Sequence, residues 1–322
     1  MKITIKSLTP IHIGSGEEIS PIEYLIEGDY FHRLHMDGLF ADSDFQPLLE
    51  KFIESALTER YIGELLPHDL LRKHILYSIP ITGVAKDYLK TNRTLVKAFI
   101  KTSGKVFIPG SSLKGSLLSA VFYYSLKESY ISNTYWEVKE RGEGITLTAK
   151  EFITKSLQGR FRYENLLDFA FSRFTKGGVK TRFAHWFDVI DSDAHKPSEV
   201  LQVSLAKVKG SKSGSELPIL YETLKEGVEF SAEIKSQNTV FNEEKILSLT
   251  DDFYKKVLNK DKAQIKSDGI IIRLGQGSTA YATSCLILAE ELGIRNYRVK
   301  PPATRKRIDE ILPMGWVQLK KE

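Results

Sequence analysis

The sequence predicts an α+β protein built in layers, and three observations carry that prediction. Short stretches that alternate apolar and polar residues recur from the N-terminus to the last hundred residues. Longer segments between them return an apolar residue every three or four positions. The two kinds follow each other irregularly, which argues against a continuously wound βαβ sheet.

Taken in order, "MKITIKSLTP" puts Ile3 and Ile5 on one face and Lys2, Thr4 and Lys6 on the other, the period of a strand. "TPIHIGSGE" then reads as a loop around Gly14 and Gly16, followed by extended stretches at "IEYLI" and "YFHRLHM". Leu48, Leu49, Phe52, Ile53, Ala56, Leu57 and Tyr61 predict a helix over 45–62, and a less regular helical patch covers 67–77. "KVFIPG" is a short strand, after which Leu113, Leu117, Val121 and Tyr124 form a helical stripe. Leu167, Ala170, Phe171 and Phe174 predict a helix near 164–174.

In the second half "VLQVSLAKV" alternates and "KGSKSGSE" is a loop of turn formers. "VEFSAEIK" alternates without fault, with Val228, Phe230, Ala232 and Ile234 inward. Ile246, Leu249, Phe253 and Val257 mark a helix, "GIIIRL" a buried strand, and "GQGSTAYATSCLILAEEL" a Gly turn opening another helix. Two ferredoxin-like or RRM-type units accommodate these elements, 1–197 with helical insertions and 198–322 with a Gly-rich loop.

Composition narrows the function classes. A chain of 322 residues with net charge +5 and pI near 8.9 permits an anionic partner. Cys285 is the single cysteine, which excludes an intrachain disulfide and a cysteine-based zinc site. The first residues lack the apolar stretch of a signal peptide, and no apolar run approaches the ~18 residues of a membrane span. A cytoplasmic protein is expected.

The segment "IPGSSLKGS" joins a strand to a helix, where free backbone N–H groups and the helix dipole attract anions. Ser111 and Ser112 can cap that helix, and Lys114 adds a charge. Gly110 and Gly115 have the spacing of a nucleotide P-loop, but the Lys is misplaced, which disfavours an NTPase. A capped helix with a solvated Lys is the plainer alternative. "RLGQGSTAYA" matches a dinucleotide fingerprint only superficially, and close backbone approach is the better use of Gly275 and Gly277. No cofactor and no metal site is expected.

His12, His185, His32 and His35 lack metal-ligand spacing, and Asp188, Asp191 and Asp193 read as turn formers. Two basic tracts stand out. Residues 139–182 hold ten Lys or Arg against five acids, and 294–322 hold eight against three. Tyr297 among Arg295, Arg298 and Lys300 combines stacking with phosphate pairing, as single-stranded RNA favours. A solvated charge run is the competing reading.

In order, "LTPIHIGSG", "IPGSSLKGSLLSA", "LQVSLAKV", "LPILYETLKEGVEF", "RLGQGSTA" and "PMGWVQL" resemble the RAMP superfamily of CRISPR-associated proteins, most nearly the capping subunits of type III-A effectors. The resemblance spans almost the whole chain and implies two RAMP domains. It also implies a non-catalytic subunit that holds the 3′ part of a guide crRNA, with target RNA and a backbone RAMP subunit of the Csm complex as further partners. RNA contacts would fall on Gly110, Ser111, Ser112 and Lys114, and on Arg273, Gly275, Gln276, Gly277 and Ser278. His12, Gly14, Ser15 and Gly16 form a third candidate loop. Leu205 stands where the family pattern leads one to expect an Asp. A metal-independent endoribonuclease using His12 as general base is the alternative.

Overall fold

The computed structural model describes the chain apart from residues 58–59, 141–142, 173–186, 210–215, 238–239, 303–305 and 309–311. Its frame is two sheets and a helical layer. The first sheet has the order Phe187–Ile190, Glu229–Ser236, Lys2–Ser7, Trp316–Lys321 and Ile270–Arg273, antiparallel throughout. Ile3 and Ile5 lie opposite Ala232 and Phe230, so the alternation in both segments fills one core face. The second sheet runs Leu312–Pro313, Lys306–Ile308, Leu201–Lys209, Glu216–Leu224, Val96–Phe99 and Gly14–Ile19. Its pairing of Glu216–Leu224 with Val96–Phe99 is parallel. A smaller sheet holds Tyr24–Glu27, Tyr30–Leu34 and Ile75–Pro80.

Both large sheets take strands from each side of residue 197. The expected division at 197/198 therefore does not coincide with a boundary between sheets. The first strand is the clearest case, since its two neighbours come from residues 229–236 and 316–321.

Helices Gly110–Ser132 and Glu243–Asp261 pack on each other beside the first sheet. Leu113, Leu117 and Val121 on one, and Ile246, Leu249, Phe253 and Val257 on the other, are buried as their spacing predicts. Asn242 caps the second helix by accepting from Lys245 N at 2.9 Å. Asn133 and Lys262 end the two helices in the left-handed conformation.

Several expectations change. Residues 14–17, read as part of a loop, belong to the largely exposed strand Gly14–Ile19, which pairs with Val96–Phe99 with a register shift between Gly14 and Glu18. The 67–77 patch divides into helix His68–Lys73 and strand Ile75–Pro80. The helix after the "GQGS" turn breaks into Ala280–Thr283 and Leu286–Glu291. Among the described residues, no helix is long and apolar enough to cross a membrane.

Candidate nucleic-acid interface

Three loops singled out in the sequence meet at one end of the first sheet. Gln276 N donates to the His12 carbonyl at 2.8 Å, joining the loop at 275–278 to the loop at 12–16. Ser116 Oγ, on the second turn of helix Gly110–Ser132, donates to the Arg273 carbonyl at 2.7 Å. Gly275, at φ +66, is required by this closeness, because a Cβ there would sit 2.2 Å from the His12 carbonyl oxygen.

Inside the cluster, several candidates serve the fold. Arg273 is 3% exposed. Its guanidinium pairs with Asp261 at 2.6 Å, donates to the Met314 carbonyl at 2.7 Å and lies over the Trp316 ring. Asp261 ends helix Glu243–Asp261, where a carboxylate is disfavoured by the dipole, and the arginine supplies the balancing charge. Arg273 is thus a clamp on the Gly-rich turn rather than a side chain open to RNA. His12 is 1% exposed, and its Nδ1–H donates to the Glu222 carbonyl at 2.8 Å. Its ring packs against Tyr221 and Phe99, so it stands in the core and not on a surface where a 2′-hydroxyl could reach it.

The helix N-terminus is also different from expectation. Pro109 occupies the cap position, and neither Ser111 nor Ser112 makes a capping bond. Instead the Asp191 carboxylate accepts from Gly110 N at 2.7 Å, so the chain supplies its own anion at the dipole's positive end. Gly110 is buried, and a Cβ there would lie 2.1 Å from the Val189 carbonyl oxygen. Lys114 pairs with Asp188 at 3.1 Å and lies over the Phe187 ring. Asp193 accepts from Ser231 N and His195. The three aspartates therefore have separate structural partners. No group of three or more metal-ligating side chains occurs among the described residues.

What remains exposed is Ser111, Gly14, Ser15, Gly16, Gly275 and Gln276, with Ser112, Gly277 and Ser278 half-buried. Beneath the 12–16 loop lies a group that sequence reasoning missed. The Glu222 carboxylate, 0% exposed, accepts from Tyr77 Oη at 2.6 Å, Phe99 N at 2.8 Å and Lys101 Nζ at 2.5 Å. Burial and the adjacent Glu222 charge push the Tyr77 phenol up. The signal was a gap in alternation: Tyr221, Glu222, Thr223 and Leu224 are all buried, as in a strand covered on both faces. Leu205 is likewise buried, opposite Leu220, and makes this position apolar.

The two basic tracts fold together. Gln158 Nε2 donates to the Arg295 carbonyl at 3.0 Å, and Arg298 N donates to the Leu157 carbonyl at 3.2 Å. Arg160, Arg162, Arg295, Arg298 and Lys300 are exposed around this junction. Tyr297 is partly buried there near Ser284 and Cys285, and burial pushes its phenol up to about 12. His185, residues 141–142 and the end of the first tract lie outside the described residues. His32 bonds to Ser78 Oγ, and His35 caps helix Met36–Ala41.

The chain belongs to the RAMP superfamily, whose family model matches residues 4–268. Among curated relatives, the CRISPR system Cms protein Csm5 of Methanocaldococcus jannaschii is 30% identical over 132 residues, covering 38% of this chain and 30% of that protein. The protein of the same description from Streptococcus thermophilus is 30% identical over 128 residues, 36% of each chain. That of Mycobacterium tuberculosis is 28% identical over 146 residues, 39% of each. The chain spans about a third of the length of the curated relatives it matches. A chain in a cryo-EM structure of a Csm–crRNA–target RNA ternary complex of a type III-A CRISPR-Cas system superposes with TM-score 0.74 at 23% identity, covering 99% of this chain and 100% of that one. The crystal structure of T. onnurineus Csm5 superposes with TM-score 0.68 at 23% identity, covering 98% and 99%. These likenesses establish the fold.

Proposed function

We propose that the chain is a non-catalytic RNA-binding subunit of a type III-A CRISPR effector in the cytoplasm. It caps the assembly beside a backbone RAMP subunit and holds the 3′ region of the guide crRNA, supporting its maturation, with target RNA a further partner. The relatives' descriptions point to that assembly. The observation that carries the RNA reading is the junction of the two basic tracts. There, among the described residues, Arg162, Arg295, Arg298 and Lys300 are exposed and form no ion pair with a carboxylate. Cations left without internal counter-charges favour a polyanion. At the loop cluster, Ser111, Ser112, Lys114, Gly14–Gly16 and Gly275–Ser278 add small side chains and backbone groups suited to phosphate contact.

The test uses the purified chain, alone and assembled with a neighbouring RAMP subunit. End-labelled repeat–spacer RNA, incubated with and without EDTA, should stay intact on a denaturing gel. Its binding should weaken along a straight line in log affinity against log salt. An EDTA-resistant cleavage product that vanishes in His12→Ala would overturn the non-catalytic reading.

A further inference from the structure

Beside the basic junction lies a cavity of about 210 Å³, open on one side. Leu118, Phe122 and Tyr123 of helix Gly110–Ser132 form one wall, and Tyr163 and Leu167 of helix Tyr163–Ser172 the facing one. Gly115, Ser119, Thr283 and Ser284 supply a small and polar edge, with Cys285 also lining the space. We propose that this cavity is a nucleobase pocket, taking one unstacked base of the RNA whose phosphates lie on Arg162, Arg295, Arg298 and Lys300. The proposal rests on the RNA-binding reading and gives it a specific site.

The chemistry of the walls matches a base. A nucleobase has two apolar faces and a polar rim, and it gains most from aromatic walls with hydroxyl or backbone groups at their edges. Tyr163 is 50% exposed and meets Phe122 edge-to-face at 5.6 Å between centroids, so an aromatic face stands at the cavity with one side in solvent. The volume falls below the roughly 300 Å³ at which drug-sized ligand pockets begin, which suits one ring system rather than a whole nucleotide. Cys285 does not compete as a nucleophile, because burial pushes its thiol up to about 12. Glu291, behind Tyr123, is held by Tyr123, Lys127 and Lys256, while Glu164 and Asp168 are exposed on the facing helix Tyr163–Ser172.

Gly115 supplies a separate argument. It lies within a helix, where glycine costs about 1 kcal/mol relative to alanine. A Cβ there would meet nothing within 4 Å, so packing inside the chain does not require the glycine. A methyl is accommodated there, whereas a longer side chain at this lining position would extend over the cavity edge. Tyr297 lies near the pocket residues Ser284 and Cys285, while its neighbours Arg295 and Arg298 are exposed on the same segment.

The experiment compares wild type, Gly115→Ala, Gly115→Leu and the pair Arg295→Glu/Arg298→Glu, with single-stranded RNA binding read by fluorescence anisotropy across a salt series. Gly115→Leu should weaken binding by roughly five- to tenfold, as expected for one lost stacking contact, with an unchanged salt slope. Gly115→Ala should bind as wild type, and the charge pair should lower the slope. Photo-crosslinking of 4-thiouridine RNA to wild type needs no variant, and should label peptides from 110–132 or 163–172. Wild-type affinity in a folded Gly115→Leu, or crosslinks confined to other segments, would overturn the pocket while the RNA reading stands. Absence of RNA binding by wild type, both alone and assembled with a neighbouring RAMP subunit, would overturn the two together.

Discussion

At the scale of single residues, glycines separate what the fold needs from what a ligand needs. Gly275 holds φ +66 with its missing Cβ 2.2 Å from the His12 carbonyl oxygen. Gly275→Ala combines a left-handed penalty with a backbone clash, so it should destabilise by roughly 2–4 kcal/mol in urea denaturation. Gly115→Ala, in open space on a helix, should instead stabilise by about 0.5–1 kcal/mol in the same measurement. Lys114 raises a different question, because its charge is already shared with Asp188 at 3.1 Å. If RNA competes for that ammonium, Asp188→Asn should tighten binding, and Lys114→Ala should weaken it by a similar factor for unrelated sequences. A change in sequence preference after Lys114→Ala would show that the residue does not act on phosphate.

Elements meet through charge as well as packing. Glu291, at the end of helix Leu286–Glu291, accepts from Tyr123 and Lys127 of one long helix and from Lys256 of the other. Burial pushes its carboxyl up, but those three donors outweigh it and hold the group down at about 2, against an ordinary 4.5. A depressed folded value means that the stabilisation is complete above about pH 4.5 and is lost as pH falls towards 2. Urea midpoints should therefore separate wild type from Glu291→Gln at pH 6, draw closer below about pH 4.5 and converge only at about pH 2. A gap independent of pH would mean that the carboxylate's charge is not what joins the three helices. This tie was invisible in the sequence, whereas the stripe of Leu113, Leu117 and Val121 was plain, because helical periodicity is local and a three-helix ion cluster is not. The same distinction explains strand Gly14–Ile19. Its exposed Gly, Ser and Glu residues carry no strand signal, and its ladder comes from Val96–Phe99. It also explains the candidate site: the glycine turns announced themselves, while Asp191, Asp261 and Glu222 became legible only once the fold put them beside Gly110, Arg273 and the 12–16 loop.

For the whole molecule, the mixture of elements was legible but their division was not. Alternation identified strands Lys2–Ser7, Leu201–Lys209 and Glu229–Ser236 without saying which would be neighbours. In the folded chain Lys2–Ser7 lies between Glu229–Ser236 and Trp316–Lys321. Val96–Phe99 in turn bridges Gly14–Ile19 to Glu216–Leu224. Cutting at 197/198 would thus strip neighbours from the central strand of one sheet and split the other, exposing Ile3, Ile5, Val96 and Phe99 from the core. Fragments 1–197 and 198–322, produced separately, should each lack a cooperative thermal transition by circular dichroism, while the intact chain should unfold with one. Mixing the fragments should restore part of the native signal if long-range strand pairing is what fails. Two independently folding halves would show instead that each side can bury its own core, and that the interleaved strands are docking contacts rather than the basis of the fold.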